Sequence, residues 1–483
     1  MSLRSIDEVL HQRGHWIDGR LSPSSGQDIA VENPASEQVL GQVADGDAAD
    51  VDRAVRAAHD ALPAWRQTTL DERLALLTRL CDVLDDDSPQ LAAIITAEVG
   101  APVAIAGPMH VGFTAGILRG FVTLARDFAF TATAGSATVF YEPIGVAGCI
   151  TPWNLPLILI AQKLGAALVT GCTTVFKPSE LTPFSALRLA ECMAEAGYPP
   201  GVFNVVTGYG PSTGEALVCH PLVRKVSFTG STRAGRRVGA LAADGVKRVS
   251  LELGGKSANL VLPDGDLAQA VATGSQQACF NAGQSCIAWS RLLVPADRLA
   301  EATDLAADAL GGMRVGDPAD PGTDIGPLVS AQAAERVRGY IATGIEEGAR
   351  VAVGGPERPA DLPHGHFVRP TVLTDVRPDM TVAQEEIFGP VLCVIPYRDE
   401  DEAVAIANGT PYGLHGAVWS RDEQHALAVA RRLETGMVNV NGYGFDPLAP
   451  FGGYKQSGVG REMGVDGLHE FLEAKAVQCY STR

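Results

Sequence analysis

Cys286 is the side chain in this sequence best suited to covalent chemistry, because a cysteine thiolate is a strong nucleophile. It follows the turn-forming segment Asn281-Ala282-Gly283-Gln284-Ser285, in which the glycine lets the backbone bend sharply and turn its N–H groups toward a ligand. A structural cysteine more often lies within an apolar run. A single cysteine on a loop is nevertheless more often inert than catalytic, so both interpretations stay open until partner residues are found.

Candidate partners come directly at the ends of short β-rich runs between residues 146 and 252. They are Asn154, Lys177, Gly230 and Glu252. In an open α/β sheet, ligands bind beyond the carboxyl ends of the strands. We therefore expect these residues to form one site.

The elements that must position this site follow an alternating pattern. Between residues 146 and 252, short apolar β-rich runs alternate with helical stretches, which predicts a parallel, doubly wound sheet. A second α/β series runs from about residue 255 to residue 451. We therefore place a domain boundary near Gly254-Gly255.

Ahead of the alternating region, two local signals predict particular elements. Asp18-Gly19 is typical of a two-residue β-hairpin turn. From residue 48 the pattern becomes helical, and Pro63 is expected to end the first of these helices. The last residues, 474–482, are predicted to form one strand without an obvious local partner, which favours pairing with another subunit.

The bulk composition limits the classes of function. A chain of 483 residues requires two or three domains, and its net charge of −18 argues against nucleic acid or an anionic membrane surface as partner. No apolar run reaches membrane-spanning length, and residues 1–20 lack the apolar core of a signal peptide. We expect a cytoplasmic protein with no nucleic-acid or membrane partner.

The cysteine and histidine patterns give no indication of a metal site. The nine cysteines contain no C-x-x-C pair, which is typical of free thiols in a reducing compartment. His364-Gly365-His366 lies in a stretch rich in proline and glycine, without a third ligand at a useful spacing. We predict no metal.

Seven motifs, taken together and in this order, make the chain resemble the aldehyde dehydrogenase superfamily from about residue 15 to residue 480. They are Thr151-Pro152-Trp153-Asn154, Lys177-Pro178-Ser179-Glu180, Phe228-Thr229-Gly230-Ser231-Thr232, Leu251-Glu252-Leu253-Gly254-Gly255-Lys256, Gly283-Gln284-Ser285-Cys286, Glu385-Glu386-Ile387-Phe388-Gly389-Pro390 and Pro450-Phe451-Gly452-Gly453-Tyr454-Lys455. The resemblance implies an α/β fold with two doubly wound parallel-sheet domains, a Rossmann-like cofactor domain and a catalytic domain, plus a small β oligomerisation element. It also implies NAD(P)-dependent oxidation of an aldehyde to a carboxylic acid.

The resemblance assigns the catalytic roles as follows. Cys286 attacks the aldehyde as a thiolate, and the Asn154 amide and the Cys286 backbone N–H hold the resulting oxyanion. After hydride transfer, Glu252 activates the water that hydrolyses the thioacyl enzyme, helped by partial desolvation of its carboxyl. Lys163 and Glu462 would support a proton path to this base. The alternative for these two residues is a structural salt bridge.

The resemblance also implies NAD as cofactor. Lys177 and Glu180 would bind the adenosine ribose, and Gly230-Ser231 would open a helix whose N-terminus takes the pyrophosphate. The carboxylate of Glu180 repels a 2′-phosphate and so favours NAD over NADP, whereas Lys177 and Ser179 are compatible with use of both.

Further cofactor contacts are implied at the nicotinamide end. Glu386 would bind the nicotinamide ribose, with Phe388 packed near it. The other residues assigned to the cofactor site are Thr151, Pro152, Trp153, Ser179, Gly210, Phe228 and Leu253.

The substrate pocket departs from the family's usual aromatic pattern. Leu155 and Gln162 stand where the family often carries aromatic residues, while Phe445, Phe451 and Ile287 are assigned to the pocket wall. We expect a small-molecule aldehyde substrate, but the sequence names no particular aldehyde.

The domain organisation is predicted from the boundary and from the resemblance together. Residues 1–123 and 144–254 would form the NAD(P)-binding domain, residues 255–465 the catalytic domain, and residues 124–143 with 466–483 the oligomerisation element of a homodimer or homotetramer.

Three alternatives remain. A CoA-acylating aldehyde dehydrogenase would use a thiol in place of water, but such enzymes commonly lack the glutamate found here as Glu252. A catalytically silent binding or structural protein on the same fold would not need Cys286, Asn154, Glu252 and Glu386 together. A cysteine hydrolase without cofactor would leave the Lys177–Glu180 motif unexplained.

Overall fold

A computed structural model describes residues 6–10, 13–24, 26–442 and 444–479 of the 483-residue chain. The strands of this part of the chain are β1 (His15–Ile17), β2 (Arg20–Ser22), β3 (Asp28–Asn33), β4 (Gln38–Ala44), β5 (Thr131–Ala134), β6 (Ala137–Pro143), β7 (Val146–Ile150), β8 (Thr173–Lys177), β9 (Phe203–Val205), β10 (Val223–Thr229), β11 (Arg248–Glu252), β12 (Ala258–Val261), β13 (Arg291–Pro295), β14 (Arg350–Val353), β15 (Thr371–Thr374), β16 (Val391–Tyr397), β17 (Gly416–Trp419), β18 (Asn439–Val440), β19 (Gly458–Val459) and β20 (Leu472–Gln478).

The α-helices of the same part are α1 (Ile6–Leu10), α2 (Ala48–Trp65), α3 (Leu70–Asp86), α4 (Ser88–Val99), α5 (Val103–Ile105), α6 (Phe113–Asp127), α7 (Pro156–Thr170), α8 (Phe184–Glu195), α9 (Glu215–Cys219), α10 (Thr232–Asp244), α11 (Leu267–Cys279), α12 (Leu299–Gly311), α13 (Ala331–Glu346), α14 (Thr381–Gln384), α15 (Glu400–Asn408), α16 (Glu423–Ala430) and α17 (Gly464–His469). Among the described residues, no helix combines the length and the apolar character needed to cross a bilayer.

The first sheet carries the predicted strand-end residues. Its order is β19-β11-β10-β7-β8-β9-β1-β2, and the five strands from β11 to β9 run parallel. Successive side chains of a strand point to opposite faces. Thus Val146 and Ile150 of β7 pack with Val51 of α2, whereas Ala147 and Cys149 pack on the side of α7. Apolar side chains on both faces explain why β7, β8 and β9 are buried throughout and why helices cover both sides of the sheet.

A second, mostly parallel sheet follows in the order β14-β15-β16-β13-β12-β17-β18. Its core is separate from that of the first sheet and includes Leu260, Leu293, Val394 and Val418. A small antiparallel sheet has the order β20-β6-β5 and pairs the C-terminal strand with β6 over seven residues. The predicted fold class, α/β with two parallel sheets and a small β element, is therefore confirmed.

Two local predictions have different outcomes. The hairpin at Asp18-Gly19 is confirmed, since β1 pairs with β2 in antiparallel register and Asp18 and Gly19 have φ of 54° and 72°. The prediction that Pro63 ends its helix is wrong, because α2 continues through Pro63 to Trp65. The Trp65 side chain is buried, so tertiary packing holds the last turn despite the missing proline N–H.

The predicted terminal strand also differs from the structure. β20 begins at Leu472, earlier than the expected residue 474, and ends at Gln478, while residues 480–482 lie outside the described part of the chain. Leu472 is the buried residue of this strand, whereas the six residues after it are exposed.

Candidate active site

The loop before Cys286 has an unusual backbone. Residues Phe280–Gly283 form a short 3₁₀ segment in which Asn281, Ala282 and Gly283 have φ of 53°, 57° and 72°. Left-handed backbone costs about 1 kcal/mol or more for a residue with a Cβ, so the surroundings must hold it in place. Gly283 is required sterically as well, because a Cβ there would overlap the carbonyl oxygen of Gly389.

Reciprocal hydrogen bonds connect this loop to Asn154. The Asn154 Nδ2 donates to the carbonyl of Gln284 at 3.0 Å, and the Asn281 Nδ2 donates to the carbonyl of Asn154 at 2.8 Å. The Gln284 side chain accepts from the Val329 N–H at 2.9 Å. The predicted neighbourhood of Asn154 and Cys286 is thus present in the structure, and all the amides that fix it are buried.

The half-buried Cys286 lies between two cavities. One has a volume of about 380 Å³ and the other about 140 Å³, and Cys286 contributes to the walls of both. Burial raises the pKa of its thiol, and the nearby carboxyl groups of Glu386 and Glu252 raise it further. The backbone N–H groups of Cys286 and Ile287 act in the opposite direction, because they donate toward the sulfur.

Glu252 ends β11 directly opposite Thr229, which ends the neighbouring strand β10. Both carboxyl oxygens of Glu252 are buried without a hydrogen-bond partner. Burial raises the pKa of this carboxyl well above its ordinary value, and the negative charge of Glu462 adds to the effect, while Lys163 and Arg461 oppose it. A carboxyl with a raised pKa can take a proton near neutral pH, which is the property a general base needs.

Lys163 and Glu462 form a buried ion pair beside Glu252. The Lys163 Nζ contacts a carboxyl oxygen of Glu462 and donates to the Thr229 Oγ1 at 2.6 Å. The same Glu462 oxygen accepts from the Ser227 Oγ at 3.0 Å, whereas its second oxygen has no partner. Ser227 and Thr229 point to the same face of β10, so the strand presents a polar row next to the base.

The smaller cavity contains many of the residues assigned to the cofactor. Its wall includes Pro152, Trp153, Asn154, Gly230, Ser231, Leu253, Glu386 and Phe388. The rings of Trp153 and Phe388 meet edge to face with centroids 5.4 Å apart. The Glu386 Oε1 accepts from the Gly255 N–H at 3.0 Å, and burial raises the pKa of this carboxyl to about 7.

The N-terminus of α10 opens onto the same cavity. Ser231 caps this 13-residue helix by accepting from the Ala234 N–H at 3.3 Å. Gly230 precedes it, and a Cβ there would lie 2.6 Å from the Phe228 ring, so only glycine allows this close approach. Free N–H groups and the helix dipole at such an end favour a phosphate group.

The remaining predicted cofactor residues lie outside this cavity. The Lys177 Nζ donates to the Pro178 carbonyl at 2.8 Å and to the Glu180 Oε2 at 3.3 Å, and Glu180 is partly exposed. Thr151, Ser179 and Phe228 are buried close to the strand ends. Gly210 begins the π-helical segment Gly210–Gly214, and the structure does not bring it to the cavity wall beside Cys286.

These groups match the chemistry of a nicotinamide dinucleotide. A helix N-terminus suits the pyrophosphate, the Lys177–Glu180 pair and Glu386 offer partners for ribose hydroxyls, and the cavity between Phe388 and Cys286 suits a flat ring.

The larger cavity contains all five residues assigned to the substrate pocket, namely Leu155, Gln162, Ile287, Phe445 and Phe451. One wall of this cavity is formed by Leu155, directly before α7, and by one face of that helix. The spacing i, i+3, i+4, i+7 places Leu155, Ile158, Leu159 and Gln162 on the same side. The buried Gln162 Nε2 makes a 3.4 Å contact with the Met463 sulfur.

Sequence reasoning missed several wall residues of both cavities. On the substrate side these are Met109, Phe113, Ile158, Leu159, Gln277 and Phe280, and on the cofactor side Arg336, whose Nη2 donates to the Glu386 carbonyl at 2.6 Å. The helical spacing on α7 could have identified Ile158 and Leu159. No sequence signal connects Met109, Phe113 or Arg336 to the site, because they come from distant helices.

The cysteines and the His364–His366 segment were the candidate metal ligands of the sequence. All nine cysteines carry free thiols. The His366 Nε2 lies 2.6 Å from the Glu32 Oε1, so this histidine has a carboxylate partner. Within the described ranges, no group of three or more metal-ligating side chains is arranged to hold a metal ion.

Comparison with known proteins gives a family match over residues 21–477, to the aldehyde dehydrogenase family. The 3-succinoylsemialdehyde-pyridine dehydrogenase of a Pseudomonas species is 48% identical over 470 residues, covering 97% of this chain and 98% of the relative.

Solved structures agree with this match. The aldehyde dehydrogenase C of Pseudomonas syringae, solved as a cysteine-to-alanine variant with NAD+ and octanal, has a TM-score of 0.97 at 45% identity, covering 100% of this chain and 99% of that one. The NAD+ complex of a Bacillus cereus aldehyde dehydrogenase has a TM-score of 0.94 at 38% identity, covering 99% of each chain. The chain therefore belongs to the aldehyde dehydrogenase family.

Proposed function

We propose that the protein oxidises an aldehyde to a carboxylic acid, with NAD as the hydride acceptor and water as the second substrate. The observation that carries this proposal is the position of Cys286, whose side chain borders both the substrate cavity and the cavity suited to a nicotinamide. One thiol can therefore hold a carbonyl carbon next to the ring that accepts its hydride. In the overall reaction, aldehyde, NAD+ and water give the acid, NADH and a proton.

Cys286 is proposed to attack the carbonyl carbon as a thiolate, which forms a C–S bond and an oxyanion. The Cys286 and Ile287 N–H groups favour the thiolate, although burial opposes it. The Asn154 amide carries two hydrogens and uses one on the Gln284 carbonyl, so the second can donate to the oxyanion together with the Cys286 N–H. Donors aimed at developing charge lower such barriers by about 3 kcal/mol each.

The cofactor, when bound, supplies the acceptor for the hydride that leaves the former aldehyde carbon. The side chains of the protein position the cofactor. We propose that Ser231 and the N-terminus of α10 hold the pyrophosphate, that Lys177 and Glu180 hold the adenosine ribose, and that Glu386 holds the nicotinamide ribose. The Glu180 carboxylate beside Lys177 favours an unphosphorylated ribose, so NAD is preferred over NADP. Roles for Thr151, Ser179, Gly210 and Phe228 at this site remain predictions.

Glu252 is proposed to take a proton from the water that hydrolyses the thioacyl enzyme. It lines neither cavity, so its carboxyl must rotate toward Cys286 to act. Its two unpartnered oxygens leave no hydrogen bond to break during this rotation. We propose that the Lys163–Glu462 pair receives the proton afterwards, because the second oxygen of Glu462 is unpartnered and lies in the same buried polar group.

The assembly and location of the protein are also proposals. We propose the domain division at residue 254 given above, a cytoplasmic location, and a homo-oligomer, either dimer or tetramer, built through the β20-β6-β5 sheet. Support comes from the exposed faces of this sheet, on which Phe140 and Val477 are exposed to 38% and 37%. Apolar side chains on an exposed strand are typical of subunit pairing.

The catalytic proposal is tested with Cys286→Ala and, as a matched control, Cys219→Ala, which removes an exposed thiol. We expect Cys286→Ala to lose NADH formation with an aldehyde panel and to retain NAD affinity within about twofold, whereas Cys219→Ala keeps both. Substantial turnover by Cys286→Ala would overturn the nucleophile assignment. Product formation that depends on added CoA would identify the CoA-acylating reaction instead.

A further inference from the structure

The substrate cavity is apolar over most of its wall. Aliphatic and aromatic side chains line it from α7, from α6 with the π-helical segment Ala106–Gly112, and from the loops that hold Phe280 and Phe445. The polar side chains on this wall, those of Gln162, Gln277, Ser285 and Cys286, carry no formal charge while the thiol is protonated. None of the wall residues that the structure describes is an Asp, Glu, Lys, Arg or His.

The cavity has an inner and an outer end. Ser285 and Cys286 mark the inner end, where the carbonyl must lie. Met109, which is 42% exposed, and the exposed Gln277 mark the outer end. Between the two ends, the apolar side chains of Leu155, Ile158 and Leu159 line one side of the cavity along α7.

Packed aromatic rings make the opposite wall firm. The Phe445 ring contacts the Phe113 ring edge to face, with centroids 5.2 Å apart. It also contacts the Phe451 ring, with centroids 5.8 Å apart. A ring held by two others has little freedom to turn aside for a hydrated group. The volume of about 380 Å³ lies at the small end of the range of roughly 300–1,000 Å³ that is usual for small-molecule sites.

The lysine that adjoins this wall on α7 already has a carboxylate partner. Lys163 follows Gln162 on α7 but points to the Glu462 carboxyl and to Thr229, and it is fully buried there. It therefore offers no free cation to a substrate carboxylate. A charged group on the substrate tail would lose its hydrating water in this cavity and find no protein counter-charge there. This desolvation costs binding free energy.

We infer that the substrate is an uncharged aldehyde with an extended apolar tail, and that the cavity discriminates against aldehydes carrying a carboxylate or a quaternary ammonium group. The inference rests on the proposed function, in that Cys286 is taken as the reacting atom. The tail runs outward between α7 and the Phe113–Phe445–Phe451 wall and ends at Met109.

The first experiment measures kcat/KM with NAD for straight-chain aldehydes from propanal to octanal. Each methylene that enters the cavity should raise kcat/KM by about three- to fourfold, until the tail passes Met109. A series that is flat, or that falls with length, would overturn the inference.

Matched pairs of similar shape isolate the effect of charge. Betaine aldehyde is compared with 3,3-dimethylbutanal, and succinic semialdehyde with its methyl ester. We expect the neutral member of each pair to have a kcat/KM at least about 100-fold higher, because the wall offers no counter-charge. Equal values, or preference for the charged member, would contradict the inference.

A variant tests where the tail lies. Met109→Arg places a cation at the outer end of the cavity, on an exposed position where it should not disturb folding. We expect it to lower the octanal-to-propanal ratio of kcat/KM about tenfold. Val103→Arg is the control, since Val103 is similarly exposed but does not line the cavity, and it should leave the ratio unchanged. An unchanged ratio in Met109→Arg would contradict this path.

These outcomes separate the inference from the proposed function. No NADH with any aldehyde, propanal included, would contradict the proposed function itself. NADH from propanal without dependence on tail length or charge would leave the reaction in place and overturn only the apolar-substrate inference.

Discussion

Asn154 and Gln284 are joined by a 3.0 Å hydrogen bond from the Asn154 side-chain amide to the Gln284 backbone carbonyl. Asn154 follows a strand of the first sheet, whereas Gln284 lies two residues before Cys286 on the loop that follows α11. The bond therefore fixes the proposed nucleophile relative to the strand ends that carry Glu252 and Lys177. It also leaves one amide hydrogen free beside the thiol.

Replacing Asn154 with alanine should lower the rate of the first NADH burst by about 10²–10³, because one oxyanion donor is lost. The loop also loses its tie to Asn154, so part of the loss reflects a misplaced thiol. NAD affinity should change little, since the helix N-terminus and Glu386 stay in place. Stopped-flow measurement of the burst tests this, and a loss smaller than about fivefold would contradict the oxyanion role.

The reactivity of Cys286 in the cofactor-free protein should rise with pH. Burial and the carboxyl groups of Glu386 and Glu252 raise the thiol pKa, so the thiol stays protonated at neutral pH and ionises only as the pH increases. Below the pKa, its alkylation rate by iodoacetamide should grow about tenfold per pH unit. Peptide mass spectrometry resolves the alkylation of Cys286 from that of the exposed Cys219, which serves as the control. A Cys286 rate that levels off below pH 8 would disprove the expected shift.

Lys163 and Glu462 should shift the pKa of Glu252 in opposite directions. The charge of Glu462 raises the pKa of Glu252 and that of Lys163 lowers it. Lys163→Met should therefore move the acidic limb of the steady-state pH–rate profile to higher pH, and Glu462→Gln should move it to lower pH.

Breaking a buried ion pair costs about 3–5 kcal/mol of stability, so each of these variants must first be shown to be folded. The double variant removes both charges and should return the limb close to its original position. If both single variants shift the acidic limb in the same direction, or if neither shifts it, the ion pair has only a structural role.

The sequence predicted those parts of the site that lie on regular elements. Asn154 and Glu252 could be placed because strand ends of a parallel sheet meet at one edge, and the hairpin at Asp18-Gly19 because its turn needs positive φ. Local rules failed where tertiary contacts decide. α2 continues past Pro63 because Trp65 is buried.

The wall of the substrate cavity was only partly predictable for the same reason. Leu155 directly precedes α7 and Gln162 lies on it, so both residues are close in sequence to the motif at residues 151–154. Met109 and Phe113 belong to helical segments far from any motif, and only packing brings them to Cys286. The orientation of Glu252 outside both cavities also depends on its surroundings rather than on its position in the strand.

The central claim is that Cys286 carries the acyl group and that Glu252 is needed to release it. The most direct test mixes Glu252→Gln with NAD and an alkanal, quenches in acid, and measures intact and peptide masses. We expect a burst of about one NADH per active site, slow turnover afterwards, and an acyl adduct on the peptide containing Cys286. An NADH burst without an adduct, or with the adduct on another residue, would contradict the account.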